Sequence, residues 1–507
     1  MKVFLLFKDR DFDPTVPLPQ GADTLVQDLE LDKLFEVMAA GDKYLLPVAR
    51  QVMLSSLTAP DEIRYRQEIL KESIAHEEVI REIYDLVVET LVGINKVSFL
   101  GLGFFSKDNP ELTLHRAVQQ LRYLSEMLKR LWELGNKHSK SFSSEGFSRF
   151  FGVLDEELDG EYFERIKEHL EQLSFRDGVL ISAELGEGHK GANYTIRSIN
   201  EQKASWIRRM ASQLLGRSPN TVVVPDRDEP GLRALEELRG RGINSAANAV
   251  ARASDHVLAF FTNMRYELAF YVSCLNLRLA LTGKGEPICF PDPLPPGHPV
   301  LEATDLYDAS LSLRLGARCV GNSINSNGKA LVFITGANRG GKSTFIRSVG
   351  QAQLMMQAGM FVAASEFQAD VRSGVFTHFK REEDKKMESG KLEEELARMS
   401  EIVDQVSSGA MVIFNESFAS TNEREGSEIG RNLVRAMLDS GIKVFFVTHF
   451  FDLASSFLKS ERYPALFMRA NREDDGRRSF KLIEGEPLPT VYGVDIYREV
   501  FGCDPLG

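Results

Sequence analysis

Gly336-Ala-Asn-Arg-Gly-Gly-Lys-Ser constrains this chain more than any other segment. It fits G-x-x-x-x-G-K-[ST], with Gly336, Gly341, Lys342 and Ser343 at the fixed positions. The apolar run Ala330-Leu-Val-Phe-Ile-Thr precedes it, and a helix-forming run from Ser343 to Ala358 follows. A loop of this kind works only between a buried strand and a helix. Its glycines let backbone N–H groups crowd around phosphate oxygens, and the helix N-terminus favours their charge. The expected nucleotide-binding residues are therefore Gly336, Ala337, Asn338, Arg339, Gly340, Gly341, Lys342, Ser343 and Thr344. Lys342 is expected on the β/γ oxygens and the Ser343 hydroxyl on Mg²⁺.

Two further strands carry polar tips. Met411-Val-Ile-Phe-Asn-Glu-Ser is an apolar run ending in Asn415 and Glu416. A strand with an acidic tip is the usual partner of a phosphate loop, so Met411 to Phe414 is expected beside the strand that feeds the loop. Asn415 brings no charge but accepts a bond from Mg²⁺-bound water, which makes Ser343 and Asn415 the expected metal residues. Glu416 is expected to polarise the attacking water. Lys443-Val-Phe-Phe-Val-Thr is the third strand, and His449 at its tip is expected to sense the γ-phosphate by hydrogen bonding. The expected catalytic residues are thus Glu416 and His449. Continuous apolar strands joined by helices, here with Ser427 to Leu438 as the second helix, imply a mainly parallel sheet covered on both faces.

Before this region the chain reads differently. Residues 1–24 form a strand-and-loop segment, with Met1 to Phe7 as a first strand. Residues 25–285 read as a helical region. Ile63, Leu70 and Ile74 share one helix face, and Leu114, Val118, Leu121, Leu124, Leu128 and Leu131 repeat the pattern. Such stripes are core packing. A small β-element is expected near 177–224, from Val179-Leu-Ile-Ser, Tyr194-Thr-Ile and Thr221-Val-Val-Val. Six prolines between Pro287 and Pro299 mark a linker into a last domain, 286–507.

Composition closes off other classes. The four cysteines are scattered without CxxC spacing, which excludes a disulfide scaffold and suits a reducing cytoplasm. No apolar run approaches the roughly 18 residues of a membrane span, and Lys8 to Asp11 interrupt the apolar start too early for a signal peptide. The net charge is −12, so contact with nucleic acid needs a local basic patch. Lys190, Arg197, Lys203, Arg208, Arg209 and Arg217, with Trp206 among them and Glu201 as the one acid, are the expected contact; a solvated helix face is the alternative.

The combined motifs resemble the ATPase domain of the MutS family. Thr335 to Thr344 resembles that family's T-G-P-N-M-G-G-K-S-T. Gly297-His-Pro-Val-Leu-Glu resembles G-R-H-P-V-V-E, and Val320-Gly-Asn resembles the Asn segment before the loop. Phe376-Thr-His resembles F-T-R, and Asn415-Glu to Glu425-Gly keeps the spacing of D-E-x-G-R-G-T-S-T-x-D-G. Phe446-Val-Thr-His-Phe-Phe-Asp-Leu resembles F-A-T-H-Y-x-E-L; Tyr492-Gly and Phe501-Gly resemble the closing element. The resemblance implies an α-rich core and lever region followed by an α/β P-loop domain of the ABC type, with ATP and Mg²⁺ as cofactors. It implies a slow ATPase acting as a homodimeric, nucleotide-gated DNA clamp in mismatch repair or recombination. The departures are equally specific. Asn415 replaces the family's acidic Asp, Gly390-Lys-Leu-Glu-Glu replaces G-R-S-T-F, and the expected member is a short one without the N-terminal mismatch-probing domain. The alternative is a non-hydrolysing nucleotide switch, or a scaffold that binds branched DNA, the ribosome or a protein partner.

Overall fold

The structure is a computed structural model and describes residues 1–100, 110–175, 179–186, 191–197, 224–225, 227–337, 339–381, 390–472 and 478–488. The helical region begins with α1 (Ala22–Asp28), α2 (Leu31–Ala39), α3 (Leu45–Leu54), α4 (Pro60–Ala75) and α5 (Glu77–Leu100). It continues with α6 (Pro110–His138), α7 (Glu145–Glu157) and α8 (Gly160–Gln172). The hairpin β1 (Leu180–Leu185) and β2 (Gly191–Arg197) leads to the long helix α9 (Glu229–Thr282). Helix-rich architecture and a largely parallel sheet agree with the expected fold class.

The chain divides into two compact units. One consists of Met1–Val3, Arg81–Ser143 and Phe147–Arg265; the other of Phe4–Ile80, Ser144–Gly146 and Tyr266–Gly507. In the first, α6 buries the stripe Leu114, Val118, Leu121, Leu124, Leu128 and Leu131 read from the sequence. Strands β1 and β2 pair antiparallel, Ile181 opposite Ile196. The Thr221 run begins outside the described residues.

In the second unit the remaining strands build two sheets. β3 (Asp292–Leu294), β4 (Leu301–Leu306), β5 (Asn322–Asn325) and β7 (Glu366–Asp370) form a mixed sheet of order β3-β7-β4-β5. Proline therefore does not simply make a linker here: Pro293 lies in β3, an edge strand, where a missing N–H is tolerated. The larger sheet has the order β12-β11-β6-β10-β9-β8. Its members are β6 (Leu331–Thr335), β8 (Val375–Phe379), β9 (Met411–Asn415), β10 (Lys443–Val447), β11 (Ala465–Arg472) and β12 (Arg478–Glu484). All neighbours are parallel except β12 against β11.

Helices cover both faces of this sheet. α10 (Ala309–Arg314) precedes β5. α11 (Lys342–Gln357) packs on one face, where Gly350 leaves room for Leu29 and Ile413; a Cβ there would sit 2.7 Å from the first and 3.1 Å from the second. On the other face Leu331, Phe333, Val412, Phe414, Val444 and Phe446 pack against α12 (Lys391–Gln405), α13 (Glu423–Asp439) and α14 (Phe451–Ser455). Every residue of β6 and β10 is buried, as a doubly covered parallel strand requires. Rings run in register across five strands: Phe467 to Phe333 at 5.8 Å, Phe333 to Phe446 at 5.9 Å, Phe446 to Phe414 at 4.7 Å, and Phe414 to His378 at 6.0 Å.

The chain's start is not the expected strand. Residues 1–21 contain neither strand nor helix. Leu5 and Leu6 are buried, and their N–H groups donate to Glu267 Oε2 at 2.6 and 3.0 Å; Phe12 N–H donates to Oε1 at 3.1 Å. The Tyr271 hydroxyl donates to Leu5 O, and the buried Arg66 guanidinium donates to Leu6 O and to Ala358 O at the end of α11. Side chains do for this backbone what a neighbouring strand would do in a ladder.

Among the described residues no helix is long and apolar enough to cross a membrane.

Candidate functional site

The turn between β6 and α11 needs its glycines. Gly336 has φ +111° and Gly341 φ +89°, values that side chains rarely adopt. Gly336 also lies so close to β11 that a Cβ would meet Ala470 N at 3.0 Å. Arg339 takes φ +60° and is exposed; Ala337 is half-buried, and Thr344 stands in the first turn of α11. Asn338 lies outside the described residues.

Lys342 is 4% exposed and donates to the carbonyls of Gly336 and Ala337, both at 2.9 Å. Burial lowers its pKa, and the negative charge of Glu416 opposes that shift. Ser343 Oγ donates to Asn415 Oδ1 at 3.1 Å. The loop hydroxyl and the amide at the tip of β9 thus share one hydrogen bond, beside a buried cation.

The route to that contact differs from the expectation. β9 does not lie beside β6, because β10 is inserted between them. Asn415 pairs with Val447, which pairs with Ile334. The inserted strand joins the tips: Thr448 N–H donates to Ile334 O at 3.1 Å, and Glu416 N–H to Val447 O at 2.9 Å. Glu416 is half-buried with φ +53°, a left-handed conformation for a non-glycine residue. His449 is exposed, its ring 4.6 Å from that of Phe450, while Thr448 Oγ1 accepts from Phe450 N–H at 2.9 Å.

Sequence reasoning gave no role to two neighbours of Glu416. His378 on β8 is fully buried, with Nδ1 2.7 Å from Ser417 Oγ and Nε2 2.9 Å from Glu395 O. Burial first, then the charge of Arg398, pushes its pKa down to about 4, so the ring is neutral at pH 7. Ser417 is 1% exposed. The one available signal was His378 standing where the resemblance has an Arg. Of the basic patch, Arg197 is described, at the end of β2 with Nε donating to Ser182 Oγ at 2.9 Å. Lys190, Lys203, Arg208, Arg209 and Arg217 lie outside the described residues.

Comparison with known proteins bears on both parts of the chain. The family model for MutS domain V matches residues 332–501, and that for the MutS2 N-terminal domain matches residues 58–284. The chain belongs to the MutS family. Individual relatives carry the name DNA mismatch repair protein MutS. That of Thermus thermophilus is 26% identical over 166 residues, 33% of this chain and 20% of the relative. That of Chloroflexus aurantiacus is 29% identical over 215 residues, 41% of this chain and 21% of the relative. That of Thermotoga maritima is 34% identical over 127 residues, 25% of this chain and 16% of the relative. This MutS-family chain therefore matches about a fifth of the length of the first two relatives.

Proposed function

We propose that residues 336–344 bind ATP with Mg²⁺ and that the chain hydrolyses it slowly, as a homodimeric, nucleotide-gated clamp on DNA. In this reading 286–507 is the P-loop, ABC-type ATPase domain, 25–285 the core and lever region, and 1–24 an N-terminal segment. The observation that carries it is the Ser343–Asn415 hydrogen bond beside Lys342, with Glu416 next on the same tip. Lys342 exchanges its loop carbonyls for β/γ oxygens. Ser343 and Asn415 hold Mg²⁺ and its water. Glu416 orients the attacking water, and His449 meets the γ-phosphate from the tip of β10. DNA as partner, and a place in mismatch repair or recombination, rest on the names of the relatives and on the basic residues around Arg197. The same family resemblance and the scattered cysteines favour the cytoplasm.

Asn415 supports a second reading, a nucleotide switch that binds ATP without hydrolysing it. Single-turnover hydrolysis with parallel ATP-affinity measurements separates the two. In the first reading Glu416→Gln slows turnover roughly 10²–10⁴-fold, the contribution of a positioned base, and leaves ATP affinity within a few-fold. Tight ATP binding with no turnover in the parent protein establishes the switch instead.

A further inference from the structure

Ser417 follows Glu416 directly, and its hydroxyl links that turn to β8. The hydroxyl lies 2.7 Å from His378 Nδ1 and 2.6 Å from the carbonyl of the same histidine. Across the ring, Nε2 meets Glu395 O of α12 at 2.9 Å. A carbonyl only accepts, so Nε2 carries a proton. In the neutral ring Nδ1 is then bare, and the single Ser417 O–H proton is shared between Nδ1 and the His378 carbonyl. The ring cannot swing, because it stacks on Phe418 at 5.4 Å and meets Phe414 at 6.0 Å. A second strap runs beside the first: Ser420 Oγ donates to Glu395 Oε1 at 2.9 Å. Arg398, one turn further along α12, donates to Phe379 O at 3.1 Å.

Glu416 needs such a hold. A non-glycine residue in the left-handed region is strained and persists only where its surroundings over-determine it. On its N-terminal side the hold is the Glu416 N–H bond to Val447 O. On its C-terminal side it is Ser417, buried and fastened to His378. We propose that His378, acting through Ser417, is a positioning residue: it fixes the left-handed turn at Glu416, aims that carboxylate at the water attacking the γ-phosphate, and ties the aim to α12. This rests on Glu416 being the base, as proposed above.

The test compares Glu416→Gln, Ser417→Ala, His378→Asn and His378→Gln in the full chain, by single-turnover ATP hydrolysis and ATP dissociation constant. An Asn amide reaches the place of Nδ1 and keeps the side-chain bond to Ser417; a Gln amide reaches the place of Nε2 and keeps Glu395, leaving Ser417 the backbone carbonyl of residue 378 alone. Ser417→Ala and His378→Gln are expected to slow turnover roughly ten- to hundred-fold, as a misplaced reacting group does, with ATP affinity within two-fold. His378→Asn is expected to retain most of the parent rate. In the Glu416→Gln background Ser417→Ala adds nothing, because no base is left to aim. If Ser417→Ala and His378→Gln keep turnover within two-fold while Glu416→Gln loses it, the inference fails and the proposed function stands. Loss of ATP affinity together with turnover makes the pair structural and also overturns the inference. If Glu416→Gln turns over like the parent, the base assignment fails and takes this inference with it.

Discussion

Lys342 has three donors, and two of them rest on the carbonyls of Gly336 and Ala337. Phosphate oxygens offer it acceptors of opposite full charge, which carbonyls are not. Lys342→Ala is expected to weaken ATP binding roughly ten- to hundred-fold, the worth of hydrogen bonds to a charged group, while circular dichroism shows an intact fold. Equal affinity in calorimetry would refute the loop assignment. Asn415→Asp sets a carboxylate beside Ser343 Oγ, where metal-linked phosphoryl chemistry usually has one. Mg²⁺-dependent turnover is expected to hold or rise; a large loss in a folded variant would show that the amide has a role of its own. These residues were legible because each sits at a fixed spacing or at the end of an apolar run. His378 and Ser417 were not. They stand 39 positions apart, and no pattern in a sequence reports a bond between a side chain on one strand and one in the turn that follows its neighbour.

The segment before α1 shows how an element can be misread. Three of its first seven residues are buried, and an apolar run of that length fits a strand. What decides the outcome is who accepts from the backbone. Here one carboxylate, Glu267, takes three N–H groups, and those lie some 255 or more positions away in the chain. Burial raises its pKa from 4.5 to about 7 against the pull of those hydrogen bonds. The folded value lies above the unfolded one, so the folded chain binds the extra proton. The stabilisation is complete below about pH 4.5 and is lost as the pH rises through about 7, by about 3 kcal/mol on linkage. Glu267→Gln is expected to flatten the pH dependence of the urea midpoint between pH 5 and 8; an unchanged slope would show that the carboxylate stays ionised. The apolar strands β6, β9 and β10 were correctly read because both faces are covered and their runs are unbroken. The three- to six-residue strands β3, β4 and β5 were not, because edge and one-sided strands leave short, mixed patterns.

Taken whole, the molecule balances opposite pH terms in one fold. Lys443 at the base of β10 is fully buried, and its Nζ has no hydrogen-bond partner among the described residues. Burial, with Arg372 nearby, lowers its pKa from 10.5 to about 7. The unfolded chain holds this proton more tightly, so stability from this group rises with pH between about 7 and 10.5. Lys443→Met is expected to raise the denaturation midpoint at pH 7 and to remove that rise; a destabilised variant would mean that Asp370 pairs with the ammonium. Helix-rich and strand-rich stretches were visible as changes of period. The strand order was not, since β10 separates β9 from the loop strand and order in a parallel sheet leaves no local trace. Parallel strands also lack a hairpin turn to keep them in step. The rings of Phe467, Phe333, Phe446, Phe414 and His378 do that here, at one level just below the strand tips. The loop, the amide and the histidine tip inherit their common height from a layer that lies beneath them all. Damage to that layer would tilt the platform and leave every group standing on it chemically intact.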